Sequence, residues 1–335
     1  MKKILMACAV SVFMLPALLQ AGPGTAAVDI LKLPTGIKAQ AMGGAYIGLA
    51  EGLDAMDINP AGISFISKNE ILFVHDVYFQ DTFFDSVYYG RGMGESGSFA
   101  VSLKYMNTGI ITSTLEDAQG NYAGEGEEVS GFNYLLGAGY GVDFGKLLYN
   151  EFTKNLKAGI ALKLSGESLS SDYANLAISV DVGGIYTIVH EEADFMSNRG
   201  ETIWNKTGFG VVFRNLGTSF SSGITPMSFA AGMYTQILNM FIQSNKVRIG
   251  ADVDYNLGNG INLRAGLEYS QRIENYILSG RFGTNFNPEE RAFSGIAAGL
   301  GAGLDINGTV YEFNYAFLPY GELGNNHKFG LYIKF

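Results

Sequence analysis

From residue 69 to its end the chain keeps one habit: apolar side chains occupy every second position. In Leu156-Lys157-Ala158-Gly159-Ile160-Ala161-Leu162-Lys163-Leu164 the even positions are all apolar, while the odd ones carry Lys157, Gly159, Ala161 and Lys163. The pattern returns with Val247, Ile249, Ala251, Val253 and Tyr255 set against Lys246, Arg248, Gly250, Asp252 and Asp254. It returns again with Ile261, Leu263, Ala265, Leu267 and Tyr269 against Asn262, Arg264, Gly266 and Glu268. A period of two means an extended strand with one oily and one polar face. After Val28 there is no apolar run of about 18 residues, so no membrane-spanning helix can be drawn. The same alternation marks segments near 69–79, 83–93, 97–107, 130–144, 155–166, 173–189, 207–216, 226–238, 245–257, 260–270, 274–284, 293–305, 309–318 and 327–335. Turn clusters such as Asn256-Leu257-Gly258-Asn259-Gly260 and Asp305-Ile306-Asn307-Gly308 separate them, which joins neighbours antiparallel.

Fourteen strands need a solvent for their oily faces. The opposite faces hold Gly, Ala, Ser and Asn with interspersed charges, which suits a crowded polar lumen better than the bulky inner face of a soluble sandwich. Segments of roughly 10 residues match a bilayer crossed at about 45°. Aromatics gather toward strand ends, at Tyr78, Phe79, Phe83, Phe84, Tyr88 and Tyr89 and again at Tyr311, Phe313, Tyr315 and Phe317. The predicted fold is therefore all-β, a transmembrane antiparallel barrel of about 14 strands spanning residues 69–335. With 45 Gly among 335 residues, scattered through the apolar segments, a helical bundle is disfavoured. At 47% apolar and 16% charged, disorder is excluded. The net charge of −10 leaves no basic face for phosphate backbones, so nucleic acid is not an expected partner.

The first 21 residues read as a cleaved export signal: Lys2 and Lys3, the apolar run Ile4–Leu19 broken by Pro16, then Ala21-Gly22. Its removal leaves 20 basic residues against 32 acidic ones, a net −12. It also removes Cys8, the one cysteine, so backbone pairing and burial must stabilise the exported chain without disulfides. The address is the outer membrane, with membrane lipid as the surrounding partner.

Residues 37–67, within a predicted N-terminal hatch spanning 22–68, lack the strand period. They are rich in small residues, and Asn59-Pro60 suits a helix start, with Asn as cap and Pro in the first position. Ahead of the first strand, such a segment can fold into the lumen as a plug. Met42-Gly43-Gly44-Ala45-Tyr46, Leu53-Asp54-Ala55 and Asn59-Pro60-Ala61-Gly62 resemble the N-terminal hatch signature of the long-chain fatty-acid transporter (FadL-like) superfamily. The similarity is to its PorV/PorQ-type branch and related uncharacterised spirochaetal outer-membrane proteins. The stretch from Tyr311 to His327 is similar to the penultimate hairpin of that branch. The resemblance implies a 14-stranded barrel with hatch positions Gly43, Gly44, Asn59, Pro60 and Ala61, no enzyme activity and no cofactor. It also implies either binding and transport of a hydrophobic small molecule or, as in PorV-like members, a non-transporting receptor or scaffold for secreted proteins. Phe335, closing an alternating last strand, resembles the signal read by the barrel-assembly machinery.

Other motifs take plainer readings. Gly92-Met93-Gly94-Glu95-Ser96-Gly97 matches a dinucleotide fingerprint in letters only, because it joins two strands rather than a strand and a helix. Arg248, Asp252, Arg264 and Glu268, with Asp254, form a candidate ladder of opposite charges in the lumen. His75, His190 and His327 lie far apart, so no metal site is assembled. Between Arg214 and Lys246 no charge occurs; Met227, Phe229, Met233, Met240 and Phe241 read as a lipid-facing strand pair or as an apolar ligand route. Residues 116–128 and 191–201 are acidic and predict long solvated loops, of the kind such barrels present outside the cell.

Overall fold

The computed structural model describes residues 28–33, 36–78, 82–148, 150, 153–170, 173–195, 201–219, 225–257, 260–287, 292–320 and 324–335. The export signal over 1–21 lies outside the described residues. Fourteen strands follow in chain order: β1 (Asn69–Val77), β2 (Phe83–Gly92), β3 (Ser98–Glu116), β4 (Tyr122–Asp143), β5 (Leu156–Ser170), β6 (Tyr173–Val189) and β7 (Ile203–Ser219). The second half is β8 (Ser228–Leu238), β9 (Asn245–Asn256), β10 (Gly260–Ile273), β11 (Tyr276–Asn287), β12 (Ala292–Ile306), β13 (Thr309–Pro319) and β14 (Asn325–Lys334). Each pairs antiparallel with the next, and β1 pairs with β14 to close the barrel, with Phe73 opposite both Val87 and Leu331. Closure leaves no strand edge open around the ring among the described residues, which is what a sheet needs in hydrocarbon, while β3 beyond Asn107 and β4 before Phe132 pair only with each other.

The alternation resolves as predicted. On β5, Leu162 is 53% exposed and its neighbour Lys163 only 5%. Ile249 and Val253 on β9, and Leu263 and Leu267 on β10, likewise point out, while Arg248, Asp252, Asp254 and Glu268 are buried inside. A closed cylinder wearing a continuous apolar belt is a membrane-spanning barrel.

The even strand number puts the start of β1 and the end of β14 at one end, here called the terminal end. The opposite, loop end carries the β1–β2, β3–β4, β5–β6, β7–β8, β9–β10, β11–β12 and β13–β14 connections. The acidic stretch 116–128 is not a long loop: β3 runs to Glu116 and β4 starts at Tyr122, with Thr112 opposite Glu128 and Thr114 opposite Glu125. A tight turn at Asp117 makes this possible, its carboxylate accepting from the backbone N–H groups of Asn121 and Gln119 at 2.9 Å each. Those two bonds hold the Asp117 carboxyl below its usual range. The second acidic stretch does connect strands without regular structure over its described part, but at the terminal end, opposite the first. Gly94–Ser96 form a short 3-10 turn between β2 and β3.

Residues 28–33 and 36–66 run inside the cylinder. They comprise a 3-10 turn at Asp29–Lys32, a short helix α1 (Ile37–Ala41), and 3-10 turns at Gly52–Asp57 and Pro60–Phe65. Asn59 caps the last of these, its side chain accepting from the Ala61 N–H at 3.2 Å, with Pro60 in first position. The hydrophobic core belongs to this segment: Ile37, Met42, Tyr46, Ile47, Leu53 and Ile63 are fully buried against the inner wall. The wall meets it with glycine. An added Cβ at Gly159 would fall 2.1 Å from the Pro60 carbonyl, at Gly183 1.9 Å from Asn59 Oδ1, and at Gly283 2.0 Å from the Met42 carbonyl carbon. These glycines stand in register across strands, Gly141 with Gly159 and Gly183, and Gly250 with Gly266 and Gly283. The glycine richness is thus a belt on which backbone packs on backbone.

Candidate functional site

The inner segment divides the lumen, and charged contacts hold it there. Gly43 and Gly44 adopt φ of 65° and 82°, turning the chain after α1; Gly43 lies against the Thr284 backbone and Gly44 against the Arg264 side chain. Asn59 is fully buried, and its Nδ2 donates to the carbonyls of Ile47 at 3.0 Å, Gly184 at 3.3 Å and Val211 at 3.4 Å. Pro60 and Ala61 sit beside Gly159. All five residues expected as hatch positions therefore lie inside the barrel and touch its wall.

The four ladder residues lie on the inner face of β9 and β10, and their partners differ from a simple strand-to-strand pairing. Glu268 stands opposite Arg248, and Arg264 opposite Asp252. Asp252 instead accepts the backbone N–H groups of Tyr46 and Ile47 at 2.6 and 2.8 Å. Arg264 reaches Asp254 at 2.7 Å, a carboxylate that Arg214 also contacts at 2.6 Å. Arg248 joins Glu268 at 3.6 Å and Glu51 at 2.7 Å, Glu268 joins Arg281 at 2.7 Å, and Glu312 connects Arg281 at 3.7 Å to Lys38 at 2.8 Å. The ladder thus starts at Lys38 and finishes at Glu51, both on the inner segment. Two further anchors are Asp57, which takes Lys104 at 2.5 Å and the Tyr88 hydroxyl at 2.6 Å, and Asp54, which accepts from the Tyr332 hydroxyl. Charges this deep need such partners, since an unpaired one is costly to bury.

Lys38, Glu51, Asp54, Asp57, Lys104, Arg281 and Glu312 escaped the sequence reading. Their signal was present only in part: Glu312 is a lone charge on the polar face of an otherwise oily strand, and Lys104 is the one charge in the first eighteen residues of β3. Nothing in the sequence says which inner-segment residue each one meets.

Two cavities flank the inner segment. The loop-end cavity measures about 390 Å³ and mixes the apolar Leu31, Leu33, Leu257 and Leu318 with Arg214 and Arg264. The terminal-end cavity measures about 540 Å³ and lies between the inner segment and the β4–β5 and β6–β7 connections.

The five apolar residues between Arg214 and Lys246 line neither cavity. Met233 is half-exposed on the outer face of β8, Phe229 points the same way and packs on Phe213 at 4.8 Å between ring centres, and Met240 and Phe241 are exposed in the β8–β9 turn. Met227 precedes β8, half-buried. For the two on β8 the reason is parity: the inward positions are Ala230, Gly232 and Tyr234, so Phe229 and Met233 face lipid. Phe335 exchanges backbone hydrogen bonds with Asn69 at 3.0 Å each way, at the seam of the barrel. Among the described residues no group of three His, Cys, Asp or Glu is placed to hold a metal ion.

No family model matches the chain, and no curated protein matches it. Solved structures do align with it. The Ralstonia pickettii toluene transporter TbuX is 11% identical and aligns over 89% of this chain and 96% of its own, with a TM-score of 0.49. The Pseudomonas putida toluene transporter TodX is 11% identical over 89% and 95%, at 0.44. A Pseudomonas aeruginosa FadL homologue is 10% identical over 90% and 97%, at 0.45. At such scores the barrel assignment stands on the strand pairing of the chain itself.

Proposed function

We propose that this chain is an outer-membrane barrel that takes up a hydrophobic, long-chain fatty-acid-like small molecule at its loop end and passes it inward past a hatch formed by residues 22–68. The observation that carries the reading is the loop-end cavity, which is apolar at its sides, cationic at its floor and closed below by the inner segment. Leu31, Leu257 and Leu318 would shed water around an aliphatic body. Arg214 and Arg264 share the single carboxylate of Asp254, so the floor can accept a further anionic or polar head. Passage then requires the hatch to yield, because the glycine belt leaves backbone against backbone around most of the lumen. An export signal, delivery by the assembly machinery through Phe335, and a loop end facing the outside belong to the same reading.

Binding of an 11-dansylaminoundecanoic acid probe to detergent-purified protein tests it. A Leu257→Glu variant that assembles normally is expected to lose most of the fluorescence gain. Undiminished binding in that variant, or none in the parent, overturns the proposal. A second reading, a PorV-like scaffold for secreted proteins, draws on the β3–β4 hairpin, whose strands of 19 and 22 residues make it the longest in the barrel. Recovery of exported proteins with the intact barrel, lost when residues 112–128 are shortened, favours that alternative.

A further inference from the structure

The cavity at the terminal end carries the same excess of cations as the one above the hatch, where Lys32, Lys104, Lys163, Arg214 and Arg264 face Asp57 and Asp254. Seven charged residues line it: Lys154, Lys157, Lys206, Lys246 and Arg248 against Glu51 and Asp194. In a chain of net charge −10, five cations to two anions around one cavity is a local reversal. Some of that charge is already answered. Lys157 pairs with Asp143 at 3.0 Å and lies over the Phe65 ring at 4.9 Å, and Arg248 is held by Glu51 and Glu268. Lys206 and Lys246 meet no carboxylate among the described residues; the Lys246 ammonium instead rests over the Phe195 ring at 4.8 Å.

Lys206 is there because of a defect in strand pairing. The β7–β8 register shifts between Trp204 and Lys206, so that Trp204 pairs with Ile237 and Lys206 with Gln236. A bulge of this kind turns two successive side chains to one face. Asn205 and Lys206 both line the cavity, and Asn205 is locked by Gln236 at 2.7 Å, with Gln236 in turn accepting from Arg248 at 3.2 Å. A regular strand would have sent one of the pair into lipid. Leu49, Phe65, Val189, Phe195 and Tyr234 supply apolar wall between the cations.

We infer that this vestibule is a binding site for a phosphate monoester carrying an apolar substituent. Two compact ammonium groups that contact no carboxylate among the described residues, beside an Arg that is already engaged, suit a dianionic phosphate head better than a single carboxylate, for which an Arg fork is the usual partner. The apolar wall accommodates the substituent. The head could belong to a lipid of the adjacent leaflet or to a soluble organic phosphate. The site is independent of what the loop-end cavity carries.

Titration calorimetry on the full barrel in dodecyl maltoside, with hexyl phosphate as probe and hexanol as neutral control, tests the inference. Hexyl phosphate is expected to bind with unit stoichiometry and hexanol not at all. The double variant Lys206→Gln/Lys246→Gln weakens it roughly tenfold or more, by loss of two charge-assisted contacts, while Lys206→Arg/Lys246→Arg keeps it within a few-fold. Should the Gln variant fail to assemble, acetylation of the parent gives the same answer, since bound phosphate must slow modification of Lys206 and Lys246 relative to Lys68 outside the cavity. Competition by phosphatidic acid in nanodiscs identifies a lipid source, and competition by inorganic phosphate alone a soluble one. Equal binding of parent and Gln variant, binding of hexanol, or no slowing of acetylation overturns the site. The Leu257→Glu variant should bind hexyl phosphate normally, so failure here and failure of the transport reading are separable.

Discussion

Asp252 is the residue on which the seating of the inner segment can be tested most directly. Its Oδ2 accepts both the Tyr46 and the Ile47 N–H, two backbone donors of fully buried residues packed in the lumen beside Gly232. Replacing Asp252 by Ala removes the acceptor of both N–H groups at once. Each orphaned buried donor costs about 1 to 3 kcal/mol, so local opening of this stretch becomes easier by about 2 to 6 kcal/mol. Arg264 keeps Asp254, so the variant leaves no buried cation unpaired. At about 1.4 kcal/mol per factor of ten, amide protection at Tyr46 and Ile47 should fall at least roughly thirtyfold. Hydrogen exchange read by mass spectrometry on a peptide covering 42–50, in detergent micelles, measures it. The barrel strands act as the internal reference, because they keep their ladder bonds. If protection of Tyr46 and Ile47 stays within threefold of the parent while the barrel remains folded, the carboxylate does not hold the segment and the reasoning fails.

Other perturbations separate the forces involved. Lys104→Met strands the buried Asp57 carboxylate and is expected to lower stability by about 3 to 5 kcal/mol; Asp57→Asn in the same chain should restore part of it, giving a coupling energy in a urea-unfolding double-mutant cycle. Gly183→Val must displace Asn59 and should cost about 1 to 3 kcal/mol or more, whereas Gly280→Ala, whose Cβ meets nothing within 4 Å, leaves the urea midpoint unchanged. Leu162→Arg, placing a charge on the lipid face of β5, is expected to destabilise the barrel in bilayers by about 2 to 4 kcal/mol if the site is near the midplane, measured by reversible unfolding in liposomes.

Each of the fourteen strands was legible in the sequence, most to within a few residues at each end, and so was the outward direction of their oily faces. The period of two is a local property: each strand of nine or more residues carries its own record of which side is wet, and a turn such as Asn307-Gly308, with φ of 52° and 85°, writes its own hairpin. The cap at Asn59 was legible for the same reason, since donor and acceptor lie two residues apart. Where the reading failed, the missing information was not local. The stretch 116–128 kept pairing because of one side chain at Asp117, and beyond the bilayer neither face is apolar, so the alternation fades although the strands continue. The Met and Phe set of 227–241 read equally as a lipid-facing pair or a ligand route, and strand parity against the lumen sends Phe229 and Met233 to lipid.

What the sequence determined by itself is the wall: its strand count, its register of inside and outside, and its need for a membrane. What only the tertiary structure decided is the content of that wall. Tyr46 meets Asp252 across 206 residues and Lys38 meets Glu312 across 274, and a shift at Trp204 turns Lys206 inward. Such meetings depend on ring closure and on the stagger between strands, which set who faces whom across the lumen and leave no trace in the order of residues along either partner.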